Sequence, residues 1–176
     1  MNIIKWLKYK KANRTSAGRV DYLREKGCKI GTKTRVLCNI DCFGKEPYLV
    51  EIGENCLLSG NLSFLTHDGG VKVLNSLNYF DGVLMDKVGK IVVGNNCFIG
   101  NSAKIMPGVT IGDNVIVGTA SIVTKDVPSN SVVAGVPARF ICTIDEFYEK
   151  NKNKFYPTAK MPAEEKKKYL LEHLDK

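Results

Sequence analysis

From Val93 onward the chain divides into blocks of six residues: "VGNNCF", "IGNSAK", "IMPGVT", "IGDNVI", "VGTASI" and "VTKDVP". Every block opens with Val or Ile. The fifth place holds Cys97, Ala103, Val109, Val115, Ser121 and Val127, all small or modest in size, and the second place is Gly in four of the six. The same frame appears upstream in "IGTKTR" from Ile30 and "VLCNID" from Val36, then after an offset in "IGENCL", "LSGNLS" and "FLTHDG" from Ile52.

A hexapeptide period of this kind is the mark of a β-helix, in which each short strand supplies part of a flat face. The first-place aliphatic residue stacks on its equivalent one coil away, and the small fifth residue fits where the chain turns inward. The turns call for Gly, Asn or Asp at positive φ, which "GEN", "GNN" and "GDN" supply. Breaks in the beat mark insertions. Ile52 follows Ile30 by 22 residues, four more than three blocks, so a bulge is expected near "FGKEPY". Val93 follows Phe64 by 29 residues, eleven more than three blocks, which predicts a larger excursion over about 66–90.

With 176 residues the chain suits one ordinary domain with short appended helices. We read a basic helical arm over 1–27, the β-helix over 28–142 and a helical tail over 143–176. The net charge of +8 is uneven: residues 1–27 carry eight Lys/Arg against two acids, while the other two segments are each close to balance. A nucleic-acid-binding body would need that excess on its folded core, so nucleic acid is not expected as a partner. Six cysteines without a C-x-x-C pair, and only two histidines, argue against zinc, and no metal is expected. No early apolar stretch reaches signal-peptide or membrane-span length, so the chain is expected to be cytoplasmic with reduced thiols.

The segment "IGNSAKIMPGVTIGDNVIVGTASIVTKDVPSNSVVAGVPARFI" closely resembles the C-terminal coils and closing "AGVPAR" segment of the hexapeptide-repeat acyltransferases, sugar and xenobiotic O-acetyltransferases in particular. The resemblance covers about residues 30–142. It implies an all-β fold, a left-handed parallel β-helix with an extruded loop and short terminal helices. It also implies acetyl-CoA as acyl donor, a homotrimer with grooves between subunits, and a small-molecule or glycan acceptor bearing a sugar-type hydroxyl. In such enzymes the loop begins with a histidine, which is where His67 stands. An imidazole suits the task, because an activated thioester leaves only the acceptor's proton to be removed.

By the same resemblance Asn101 and Thr119, one coil apart, match the places that contact pantetheine. Thr124 and Lys125 match a coenzyme-binding pair, and Arg139 matches the cation near the phosphorylated ribose. Cys142 stands where some relatives carry a further Arg. The residue that orients His67 is open: Asp68 points to the opposite side of an extended strand, and Asp81, Asp86 or a backbone carbonyl serve equally. His173, in "YLLEHLDK", is expected to be solvated.

The arm "NIIKWLKYKKANR" carries Ile3, Trp6 and Leu7 near one side of a helix and lysines around the rest. It either lies on a membrane surface or packs on the trimer, and the short stripe favours packing. A helix is expected from Ser16 to Glu25, closing at Gly27. Another should follow Thr143 and Glu146, and a last one Pro162, with Tyr169, Leu170 and Leu174 free to pack back. Two other functions remain open: N-acetylation of an amino-sugar nucleotide on the same fold, and a non-catalytic scaffold that binds no coenzyme A.

Overall fold

The computed structural model of the protein describes residues 3–174. The six-residue beat becomes a rotation among three parallel faces. Strands Lys29–Ile30, Val50–Ile52, Ile91–Val93 and Thr110–Ile111 form face one. Arg35–Val36, Leu57–Leu58, Phe98–Ile99, Ile116–Val117 and Ser131–Gly135 form face two. Ser63–Phe64, Lys104–Ile105 and Ile122–Val123 form face three. Successive strands fall on successive faces, and strands within these faces pair in parallel. A last strand, Ala138–Thr143, folds back antiparallel on face two.

The alternation of apolar and polar places explains the interior. First-place Val93, Ile99, Ile105, Ile111, Val117 and Val123 are at most 2% exposed, and fifth-place Cys97, Ala103, Val109, Val115 and Ser121 are buried with them. Each large aliphatic side chain so buried contributes about 1.5–3 kcal/mol.

The division of labour at the turns differs from the sequence expectation. Between faces one and two the left-handed conformation falls on Asn55, Asn96, Asn114 and Asn130, with φ of 55°, 54°, 55° and 60°. Their carboxamides form a continuous ladder in which each Nδ2 donates to the next Oδ1 at 2.9 Å. The second-place glycines are there for room. A Cβ on Gly31, Gly53 or Gly94 would lie 2.5–2.8 Å from atoms of the next coil, backbone included.

Both insertions are present: the smaller has the four extra residues counted from the sequence, since Ile30 pairs with Ile52, and the larger corrects the count. Phe64 and Val93 lie on adjacent faces, one block apart rather than three. Ile52 pairs with Val93 across 41 positions where Val93 pairs with Ile111 across 18, so the large excursion adds 23 residues, not eleven. In the first circuit a 3-10 turn at Ile40–Phe43 stands where face three would have a strand, and buried Phe43 packs on Phe64 with ring centroids 4.9 Å apart. A second 3-10 turn, Pro47–Leu49, absorbs the extra residues. Val127 is also reassigned. It bridges to Ile111 as a first-place residue, because the Asp126 carboxylate accepts the Thr110 N–H at 2.7 Å and the chain cuts the corner. The last circuit is thereby shortened to 16 residues.

Helices make the content mixed rather than all-β. α1 (Ile3–Ala12) and α2 (Ser16–Glu25) precede the coil. Thr15 caps α2 by accepting the Gly18 N–H at 3.0 Å, and Gly27 closes it at φ 87°. α3 (Val71–Ser76) lies in the excursion, where residues freed from neighbouring strands satisfy their backbone locally. α4 (Ile144–Asn151) and α5 (Ala163–His173) come last, α5 directly after Pro162. The chain divides into two compact units, one to Ile144 and one from Asp145. Within the second, Tyr169 stacks on exposed His173 at 4.0 Å, and Leu174 is exposed.

Candidate active site

Both interruptions fall at the same corner of consecutive circuits, between faces three and one, so the two inserted segments meet. The larger leaves the coil through a hairpin neck in which His67–Asp68 pairs antiparallel with Lys87–Val88. The Gly89 N–H donates to the Thr66 carbonyl at 2.8 Å, and Asp68 pairs with Lys87 at 2.9 Å. Asp68 also accepts the Gly70 N–H at the start of α3. Lys87 holds its carboxyl below the usual range, helped by that N–H.

Asp68 is therefore committed elsewhere, and the partner of His67 comes from the smaller insertion. Glu46 Oε2 lies 3.0 Å from His67 Nδ1. The buried Thr66 hydroxyl donates to the same oxygen at 2.7 Å. These contacts, the Thr66 hydroxyl foremost and His67 with it, hold the Glu46 carboxyl below the ordinary carboxylate range. A carboxylate only accepts, so Nδ1 carries the hydrogen toward Glu46, and in the neutral ring Nε2 holds the lone pair. The His67 side chain is 48% exposed and that of Glu46 22%, a half-buried acid beside a ring turned partly to solvent.

Sequence reasoning passed over Glu46. Its signal was present: both breaks in the beat precede a face-one strand, and Glu46 is the acid of "FGKEPY".

The other residues singled out in the sequence are distributed over the edges of the coil. Asn101 and Thr119 are exposed at the corner between faces two and three. The Ala120 N–H donates to the Asn101 carbonyl at 2.8 Å, tying the two circuits together. The Asn101 side chain accepts the Ser102 hydroxyl at 2.7 Å. Thr124 and Lys125 are exposed at the opposite edge of face three, the edge from which His67 departs. Arg139 is exposed opposite Ala134 on the returning strand, with Nη1 3.1 Å from the Ala138 carbonyl. One chain thus does not bring His67 together with Asn101 and Thr119, since a sheet lies between them.

Comparison with known proteins settles the family. The family model described as bacterial transferase hexapeptide (six repeats) matches residues 90–125. Protein CapG of Staphylococcus aureus is 40% identical over 153 residues, 86% of each chain. This chain belongs to the hexapeptide-repeat acyltransferase family. Galactoside O-acetyltransferase of Escherichia coli, another relative, is 43% identical over 57% of this chain and 47% of its own length, so this chain spans about half of it. A solved galactoside acetyltransferase in complex with coenzyme A superposes with a TM-score of 0.61 at 28% identity, over 88% of this chain and 84% of that one. A hexapeptide-repeat acetyltransferase from Vibrio cholerae, complexed with acetyl coenzyme A, has a TM-score of 0.58 at 24% identity over 77% and 82%, a likeness of fold alone.

The cysteines of this family member behave as interior packing. All six are free, and five are buried. Burial pushes the Cys28 thiol up to about 12, while within the Cys56–Cys97 contact the Cys97 thiol is pushed up and the Cys56 thiol down to about 7. Among the described residues no group of three or more His, Cys, Asp or Glu is placed to hold a metal, and no helix is long and apolar enough to cross a membrane.

Proposed function

We propose that this protein is an acetyl-CoA-dependent O-acetyltransferase acting on a sugar-type hydroxyl, with His67 as general base. The observation that carries this reading is the Thr66–Glu46–His67 relay, which prepares an imidazole with its accepting nitrogen turned away from the carboxylate. Nε2 takes the acceptor's proton as the hydroxyl oxygen bonds to the thioester carbon. Glu46 stabilises the imidazolium so formed. As the C–S bond breaks, the imidazolium returns the proton to the departing sulfur, so acetyl ester and free thiol leave with every proton accounted for.

The donor groove in this reading runs along the coil. Asn101 and Thr119 would hold the amides of the pantetheine arm, and Thr124, Lys125 and Arg139 the phosphate-bearing end. Exposed polar side chains aligned one circuit apart support that assignment, as do cations at the late coils. The separation of His67 from Asn101 and Thr119 within one chain supports a homotrimer in which one subunit's excursion faces the next subunit's corner. The excursion's exposed Leu77, Tyr79, Val83 and Leu84 are fitted to such a contact. The coil is left-handed in this reading, and the enzyme works in the cytoplasm, where acetyl-CoA is made.

The test is thiol release from acetyl-CoA by the purified protein across galactosides, maltose and matching amino sugars, with mass spectrometry of the product. Ester formation on the hydroxyl acceptors is expected. Amide formation alone would overturn the hydroxyl reading, and no turnover with any acceptor, together with no coenzyme A binding, would overturn the enzymatic one.

A further inference from the structure

α1 is one part of the molecule that the acetyl-transfer reading leaves without a task. It is attached by one side. Ala12 is buried, Tyr9 packs edge-on against Tyr22 with centroids 6.2 Å apart, and the Tyr9 hydroxyl reaches Asn39 and Asp41. Lys8 pairs with Glu25. At 100° per residue the opposite side is Ile3 and Leu7, flanked by Lys10 and Lys11, with Trp6 and Ile4 beyond them. Ile3 and Ile4 are each 71% exposed, Leu7 55% and Trp6 42%. Within one chain the side that packs is the one bearing Tyr9 and Ala12, so the stripe of Ile3 and Leu7 is left to a partner outside the chain.

The charge of that outer side chooses what can cover it. α1 contains no acidic residue, and Lys10 and Lys11 stand on either side of the apolar line. Lys10 Nζ lies 5.3 Å from the centre of the Trp6 ring. A second copy of the helix would set lysine against lysine. An apolar line bordered by cations and an indole complements a surface that is apolar inside and anionic outside.

We infer that the outer side of α1 is a docking surface for an anionic lipid bilayer, with Ile3, Trp6 and Leu7 entering the headgroup boundary and Lys10 and Lys11 meeting lipid phosphates. The helix lies in the interface and does not span it, since ten residues rise only about 15 Å.

Trp6 is the single tryptophan of the chain, so its fluorescence reports on this surface alone. The full-length protein is titrated with vesicles of phosphatidylcholine, with or without about one third phosphatidylglycerol. A blue shift and co-flotation with the anionic vesicles only, weakening as salt is raised, are expected. Leu7→Glu should abolish both. Lys10→Glu combined with Lys11→Glu should weaken binding by at least about 25-fold, from roughly fivefold per lysine. These side chains face solvent, so an unchanged unfolding midpoint accompanies the expected result. No flotation, or equal flotation with both vesicle types, would overturn the inference. So would a Leu7→Glu protein that changes sedimentation mass while still binding anionic vesicles, because the face would then be a contact between copies. Thiol release is measured in parallel without lipid, so failure here leaves the acetyl-transfer reading untouched and the reverse also holds.

Discussion

Two corners of the same coil were put to opposite uses. Between faces one and two, each circuit repeats the last: the carboxamides of Asn55, Asn96, Asn114 and Asn130 bond to one another down the ladder, and the glycines beside them leave no room for a side chain. Between faces three and one, two successive circuits are broken by inserted segments, and the polar groups there find non-repeating partners. His67 turns to Glu46, Glu46 to Thr66, and Asp68 to Lys87. A repeating corner pairs its polar groups with their own equivalents in the stack. An interrupted corner gathers residues distant in sequence and leaves a half-exposed imidazole. The first corner is built for stacking, and the second is where the proposed chemistry would take place.

The sharpest way to break this comparison is to remove the imidazole. His67→Ala should lower turnover by about 10²- to 10⁴-fold, as loss of a general base does, and leave the thermal unfolding midpoint within a degree or two. Near-normal turnover, measured by thiol release with an accepted acceptor, would detach the chemistry from this corner.

The converse change is Gly53→Ala. Its Cβ would meet the Gly94 backbone at 2.6 Å. Overpacking against backbone that cannot move aside should destabilise the coil by about 2–3 kcal/mol, read by urea unfolding, while turnover per folded molecule stays close to normal.

Glu46→Gln joins the two regions and should act on the chemistry more than on the fold. A turnover loss of about tenfold or more is expected, smaller than that of His67→Ala, because the base remains but loses the carboxylate that sets its tautomer. The pH dependence has a definite sign. The folded Glu46 carboxyl titrates below its unfolded value, so its contribution to stability is present above the ordinary carboxylate pKa of about 4.3 and disappears as pH falls through the lower folded value. Unfolding midpoints of wild type and variant, separated at pH 7, should converge in acid. A gap that widens in acid would contradict the relay.

The smallest effect belongs to Gly69→Ala, in the excursion. No atom lies within 4 Å of the position its Cβ would take, so the change in stability should stay within about 0.5 kcal/mol. The contrast with Gly53→Ala, the same methyl group added in two regions, measures how unevenly the structure tolerates change. Equal costs at the two sites would erase the distinction between corners.

Much of the scaffold was legible beforehand because a β-helix repeats its environment. Each block meets the same neighbours, so the beat itself states which residues face inward, and the first-place Val and Ile are buried accordingly. The breaks were also legible, and so was the size of the smaller, but not that of the larger, since counting in units of three blocks hides a step from one face to the next. Val127 misled for a similar reason: its size suits a fifth place, while the Asp126 carboxylate cuts the corner and moves it to the first.

By itself the sequence determined the period, the inward direction of the first- and fifth-place residues, the places where the coil is interrupted and the presence of one histidine at the larger interruption. These are local matters of pattern, composition and chain connectivity. The tertiary structure decided what that histidine meets. Glu46 and His67 are 21 residues apart, and nothing in their local sequence pairs them. Their contact exists because two insertions, made one circuit apart at the same corner, are stacked by the coil between them. The same holds for the glycines, whose need to be small comes from a backbone one circuit away in space. Pairwise proximity across circuits depends on how many residues each circuit contains, and only the folded coil sets that number.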